Sequence, residues 1–317
     1  MRTASTLAES RLPSAGSPPP LFGSPGRRSR EQHIERAFQG AALLSVFISA
    51  AIVLTLVREA IGFLTTIELS QLSADGWFPR RGMFDVKTIV AGTVLVTSIA
   101  MAVAIPLGLG AAIYLAEFAR GRVRKMVKPV LEILASIPSV VLGFFALTWI
   151  GPQIVDRICS QSSAFNMAAA GLGVGVLVTP LIASVSEDAL RAVPNSLREA
   201  ASGLGADRFS TTIKVVLPAA ASGVVAALIV GASRAIGETM VVAIAAGATG
   251  GSLLSLDPCQ PGQTMTAAMA SLAVGSDRVG QAGAVESLFF VGMLLFGITL
   301  ILNAISQRFV RRVRESY

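Results

Sequence analysis

The chain has 317 residues, of which 53% are hydrophobic and only 14% charged, and its mean hydropathy is +0.68. A soluble domain carries about a quarter charged residues, so this composition excludes an ordinary soluble protein and requires surface that faces lipid. The net charge of +7 and pI near 10.2 leave nucleic-acid binding or membrane anchoring as explanations, and the placement of the charges decides between them.

In chain order, residues 1–36 come first. They are rich in Pro, Ser, Gly and Arg and lack the apolar core of a signal peptide, so they read as a disordered tail outside the fold. Six windows free of Asp, Glu, Lys and Arg follow, at 37–57, 88–116, 133–155, 158–186, 215–233 and 287–307. Each can span a bilayer, which takes roughly 20 apolar residues. Backbone groups in hydrocarbon must be satisfied within the segment, and these runs are continuous rather than alternating, so they are helices and not barrel strands. The fold class is all-α: a polytopic membrane protein with six transmembrane helices, a transmembrane domain over 37–310 and a short C-terminal tail at 311–317.

A cytoplasmic N-terminus puts 19 of the 26 Lys and Arg residues on the cytoplasmic side. Only Arg58, Arg80, Arg81, Lys87, Arg157 and Arg278 fall outside, and Arg234 lies within a span. That asymmetry follows the positive-inside rule, places both termini in the cytoplasm of a multi-pass cell-membrane protein, and accounts for the pI without nucleic acid.

Between the first two spans, the outer loop at about 64–87 carries Trp77, Phe78 and Pro79, suited to the membrane interface or to a partner surface, with interface anchoring the expected role. Pro106 and Pro138 fall inside apolar runs, where the missing N–H kinks a helix. The glycines at 108, 110, 171, 173 and 175 lie in apolar helices, where small residues permit close packing, so they are not read as phosphate loops. The region 247–286 holds the turn Asp257-Pro258-Cys259 and then an apolar run, 263–274, too short to span, which lies at the outer interface or re-enters. Cys159 and Cys259 both fall in outer loops, and their pairing is left open. With one histidine, His33, the chain has too few soft ligands for a metal site.

The fourth and fifth spans are joined by a loop at about 187–214. Ser196 and Glu199 have capping-box spacing, so a helix is expected from Leu197, with Gly205 in a left-handed conformation at its end. Asp207 starts a second helix, and Leu217-Pro218 bends the entry to the fifth span. Glu199-Ala200-Ala201, Gly205 and Leu217-Pro218 resemble the EAA loop of ABC importer permeases, the segment that docks into the ATPase. Val215 stands where that family usually has Ile. The small side chains of Ala200, Ala201 and Gly205 would let a short helix enter a cleft.

The resemblance covers most of 40–310. Ile137-Pro138-Ser139-Val140-Val141-Leu142-Gly143-Phe144-Phe145, Arg234-Ala235-Ile236-Gly237-Glu238-Thr239-Met240 and Thr264-Met265-Thr266-Ala267 look like the phosphate importer permeases, nearer the PstC-type than the PstA-type. This implies a type I ABC importer permease fold and a substrate pathway at Arg234, Glu238 and Thr239. The implied partners are a second, PstA-type permease, two ATPase subunits and an extracytoplasmic phosphate-binding protein, with membrane lipid around them.

Arg234 and Glu238 lie four residues apart, on one face of a helix that continues, and Arg234 is 16 residues, roughly 24 Å, past Pro218. An Arg at that depth costs roughly 2.5–3.5 kcal/mol and normally faces a water-filled path or a partner. Its planar fork pairs with phosphate oxygens, and Glu238 can hold the fork when no anion is present, whereas the alternative is a fixed ion pair that only locks the helices.

None of the four lysines, Lys87, Lys125, Lys128 and Lys214, follows a glycine, so the chain has no Walker A loop. It is therefore expected to be non-catalytic and without a cofactor of its own, ATP and Mg being held by the ATPase subunits. A permease for molybdate, sulfate or phosphonate is the near alternative. A secondary transporter or channel, or a membrane scaffold that recruits an ATPase, is the distant one.

Overall fold

A computed structural model describes residues 25–73, 75–247, 251–274 and 283–314. Contacts divide the chain into a unit ending at Ile52 and one beginning at Val53. In the first, the described residues belong to helix α1 (Pro25–Thr66), and those from Glu31 on are exposed. Helix therefore replaces the expected disordered tail from Pro25 onward, because Pro25 fixes a helical φ at the start and Arg, Glu and Gln are good helix formers. Residues 1–24, the rest of that tail, and 315–317 of the C-terminal tail lie outside the described residues.

In the second unit, two 3₁₀ turns (Leu69–Ser73, Pro79–Arg81) and a small antiparallel pair, β1 (Trp77–Phe78) and β2 (Met83–Phe84), form a cap. Trp77 is a core residue here, not an interface anchor. Its ring packs edge-on against Phe84, whose centroid is 6.0 Å away, and Phe63 meets Phe84 at 5.1 Å and Phe290 at 5.2 Å. The residues of an apolar triplet can bury on one another as readily as in lipid headgroups, and the sequence carries no sign of which.

Helix α2 (Val86–Ile113) starts under Asp85, whose carboxylate accepts from Lys87 N at 3.1 Å and from Thr88 Oγ1 at 2.7 Å, and ends in a π-helical turn, Tyr114–Phe118. The amphipathic α3 (Gly121–Ala135) follows. The chain breaks at Ser136–Pro138, then α4 (Ser139–Phe145) runs through a π-helical stretch, Ala146–Val155, into α5 (Asp156–Ile158). Pro138 thus precedes a helix rather than kinking one, and the third span starts at Ser139, six residues later than its charge-free window.

Helix α6 (Met167–Arg191) is the central element and packs most extensively against α2. It begins later than its window because Asn166 caps it, accepting from Ala169 N at 2.7 Å. Its glycines do pack closely: a Cβ on Gly171 would lie 2.7 Å from Ile99 Cβ, and one on Gly175 3.0 Å from the Ala100 carbonyl.

After α6 come α7 (Asn195–Gly203), α8 (Arg208–Thr211), a π-helical turn, Thr212–Val216, and α9 (Leu217–Ala219). Helix α10 (Ala221–Ile236) leaves the preceding helical segment at 72°, the bend expected at Leu217-Pro218. Helices α11 (Met240–Ala245), α12 (Met265–Val274) and α13 (Glu286–Arg314) complete the chain. Half of the residues of α12 are buried, and the helix packs against α2, α11 and α13, so the short apolar run re-enters protein. Among the described residues, five helices are long and apolar enough to cross a membrane, and the bent pair makes a sixth if it is one broken span.

Candidate functional site

At one end of α6 the EAA-like residues form a helix-turn-helix. Helix α7 starts at Asn195, two residues before the expected Leu197, with Pro194 at its N-terminal boundary and no side-chain cap, so the Ser196–Glu199 capping box does not form. Pro194 has no side-chain acceptor with which to cap the helix but pre-sets the turn into it. The C-terminal end is as expected. Gly205 has φ +84°, and the N–H groups of Leu204, Gly205 and Ala206 close onto the carbonyls of Ala200, Ser202 and Ala201 at 3.0–3.1 Å. Asp207 caps α8, accepting from Ser210 N at 3.3 Å, and its hydrogen bonds with Ser210 hold its carboxyl below the usual aspartate value.

The residues of the EAA-like segment separate by exposure. Glu199, Ala200 and Gly205 are at the surface, together with Leu204, 91% exposed, and Phe209, 64% exposed. Ala201 is buried within the chain, and Leu217 packs against the cluster of Ala112, Leu190, Val193 and Val216, while Pro218 sits at the bend.

What holds this loop is Arg198, which lay unmarked in the sequence. Its guanidinium donates to the carbonyls of Val193 at 2.6 Å and Leu190 at 2.9 Å and pairs with Glu117 at 2.7 Å. One fork thus joins α7 to the end of α6 and to the π-turn after α2. Beside it, fully buried Glu187 on α6 receives Arg124 at 2.6 Å and Lys128 at 3.3 Å, both from α3, and Lys128 also meets Asp188 at 2.6 Å, which raises the lysine's pKa.

The second candidate region is the end of α10. Helix α10 stops at Ile236, so Arg234 and Glu238 do not share a continuous helix face. Glu238, 6% exposed, turns back as a cap: its Oε1 accepts from Met240 N at 3.2 Å and Val241 N at 3.3 Å. Its own carbonyl accepts from Thr266 Oγ1 at 2.7 Å, fixing the break between α10 and α11 to the start of α12. Thr239 Oγ1 approaches only the Gly237 carbonyl, at 3.4 Å. The expected Arg234–Glu238 ion pair is absent. Backbone N–H groups freed at the break take the carboxylate, and Arg234 is exposed with no ion-pair or hydrogen-bond partner among the described residues. Counted from the bend, Arg234 is 13 residues, about 20 Å, along α10 rather than 24 Å from Pro218.

At the other end of α6, Cys159 and Cys259 form a disulfide, bringing together residues 100 apart in sequence. Met167 N and Ala168 N donate to the carbonyls of Gln260 and Pro258 at 3.1 and 2.7 Å, so the turn at Asp257-Pro258-Cys259 closes over the α6 N-terminus. The 25 residues of α6, about 37 Å of helix, separate this end from α7. Among the described residues there is no cluster of three metal-ligating side chains.

Residues 104–315 match the family model of the binding-protein-dependent transport system inner membrane component. The chain is 32% identical over 259 residues, 75% of each chain, to the phosphate transport system permease protein PstC 1 of Mycobacterium tuberculosis. It is 28% identical over 293 residues, 87% of this chain and 88% of the relative, to the phosphate transport system permease protein PstC of Mesorhizobium japonicum. Among solved structures it resembles a chain of a bacterial ABC transporter involved in alginate import, with TM-score 0.59 and 14% identity over 90% of this chain and 99% of that one. A chain of the inward-facing MetNI methionine ABC transporter gives 0.51 and 22% over 72% and 93%. At such identities the likeness establishes the type I ABC importer permease fold alone. Sequence and architecture together place this multi-pass inner-membrane chain in the binding-protein-dependent transport system inner membrane component family.

Proposed function

We propose that this chain is one of two permease halves of an ATP-driven importer of inorganic phosphate. The similarity to phosphate transport system permeases gives the substrate class. The observation that carries the chemistry is Arg234, an exposed, unpartnered guanidinium about 20 Å into the bent span. An Arg there is permanently charged and costly in lipid, so it belongs on a wet path or against a partner subunit, and its planar fork fits the oxygens of phosphate. Glu238 and Thr239 serve this path by shaping the break between α10 and α11.

The α7–α8 loop docks into an ATPase subunit through Glu199, Ala200, Leu204 and Phe209, with Gly205 setting the turn. Closure of the ATPase pair moves the spans through Arg198. This end, and both termini, face the cytoplasm, in keeping with the positive charge there, while the disulfide end faces the oxidising exterior and an extracytoplasmic phosphate-binding protein. A second, PstA-type permease completes the pathway and covers Arg234. ATP and Mg bind the two ATPase subunits, and this chain, lacking a Gly-Lys phosphate loop, hydrolyses nothing itself.

The test is ATP-dependent uptake into proteoliposomes of the assembled complex with phosphate, sulfate and molybdate binding proteins supplied in turn. Phosphate uptake alone supports the reading. Uptake only with sulfate or molybdate would reassign the cargo, and no uptake with any of them would sink it.

A further inference from the structure

Between the π-turn after α2, the start of α3, the end of α6 and the α7–α8 loop lies a cavity of about 550 Å³. Four arginines line it, at 124, 191, 198 and 208, against one carboxylate, Glu117. Arg198 is engaged by Glu117 and two carbonyls, and Arg124 by Glu187. The other two are not so held. Arg191 only reaches Glu187 at 4.0 Å, and the guanidinium of Arg208 has no ion-pair or hydrogen-bond partner among the described residues. A second observation is independent of charge. Thr211 also lines the cavity, is only 6% exposed, and its Oγ1 is a buried hydroxyl without a partner. Buried hydroxyls are ordinarily satisfied, so this one marks a place where a ligand atom completes the structure.

We propose that the cavity is a phosphate-group site, filled by inorganic phosphate from the side that carries the docking loop or by the headgroup of an anionic lipid. The assignment to that side rests on the importer reading above. The group's oxygens accept from the fork of Arg208, from that of Arg191, which meets Glu187 only at 4.0 Å, and from Thr211 Oγ1, in charge-assisted bonds that are short and strong. A bound phosphate group ties α8 to the end of α6 and so braces the docking loop next to the Arg198 clamp.

Binding of radiolabelled phosphate to the whole complex, without binding protein or ATP, tests this in nanodiscs of phosphatidylcholine and in nanodiscs containing phosphatidylglycerol. Thr211→Val keeps the side-chain volume and removes only the hydroxyl, whereas Arg208→Ala removes an exposed fork. Each loses charge-assisted bonds and should weaken binding about tenfold or more. If a lipid headgroup is the occupant, phosphatidylglycerol co-purifies with the wild type but not with Arg208→Ala, as read by native mass spectrometry, and phosphate binding falls in the discs that contain it. Equal phosphate binding and equal lipid retention in the wild type and both variants would overturn the site. Phosphate uptake by the wild type is measured in parallel. Uptake without cavity binding rejects the site alone, and cavity binding without uptake rejects the importer reading alone.

Discussion

Arg198 shows how a single residue can govern a loop without a recognisable signature. Its three anchors, on Val193, Leu190 and Glu117, lie five, eight and 81 positions away, and no local pattern announces a contact at the last of these distances. Arg198→Lys keeps the charge but cannot reach three acceptors at once, so the loop should lose about 2 kcal/mol of support. Uptake is expected to fall far more than recovered complex, measured by transport per assembled particle. Glu238 is the opposite case, a residue marked in the sequence beside Arg234 whose carboxylate has other partners. Because its carboxylate caps α11 and ignores Arg234, a double-mutant cycle with Arg234→Gln and Glu238→Gln should give a coupling below about 0.5 kcal/mol in thermal unfolding of the complex. A large coupling would restore the ion pair. Asp207 gives a pH signature. Its folded-state pKa is depressed, so its contribution is present above the ordinary aspartate value and is lost as pH falls through the lowered one. Loop protection measured by hydrogen exchange should therefore differ between wild type and Asp207→Asn near neutral pH and converge in acid.

At the scale of elements, the charge-free windows located every span, because hydrocarbon tolerates few charges and this physical constraint writes itself directly into sequence. The window edges were less informative. Hydropathy does not distinguish an apolar turn from an apolar helix, so the break at Ser136–Pro138 and the loop before Asn166 were absorbed into spans. Trp77 went astray for a related reason: burial in a protein core and burial in a headgroup layer select the same side chains. Backbone chemistry was readable. Gly205 was expected to be left-handed and is, yet no neighbour lies within 4 Å of the place a Cβ would occupy. The constraint is thus conformational, about 1–2 kcal/mol for a non-Gly residue. Gly205→Val should uncouple transport while membrane insertion persists, and Gly205→Asn should retain more activity because Asn tolerates the left-handed region. Normal uptake by the Val variant would remove the turn from the docking account.

On the whole molecule, α6 separates two chemistries: a disulfide-closed end and an end built from arginine, lysine and buried carboxylate. If the first is extracytoplasmic, Cys159 and Cys259 should label with a membrane-impermeant thiol reagent only after reduction. The central claim is that Arg234 meets the transported anion on the path between two permease halves. ATP-dependent uptake of radiolabelled phosphate, normalised to assembled complex, tests it most directly in the Arg234→Lys variant. Lysine preserves the charge and removes the bidentate fork, so the account requires uptake to fall at least about tenfold with near-normal complex yield. Wild-type uptake by Arg234→Lys, at equal complex yield, would contradict it.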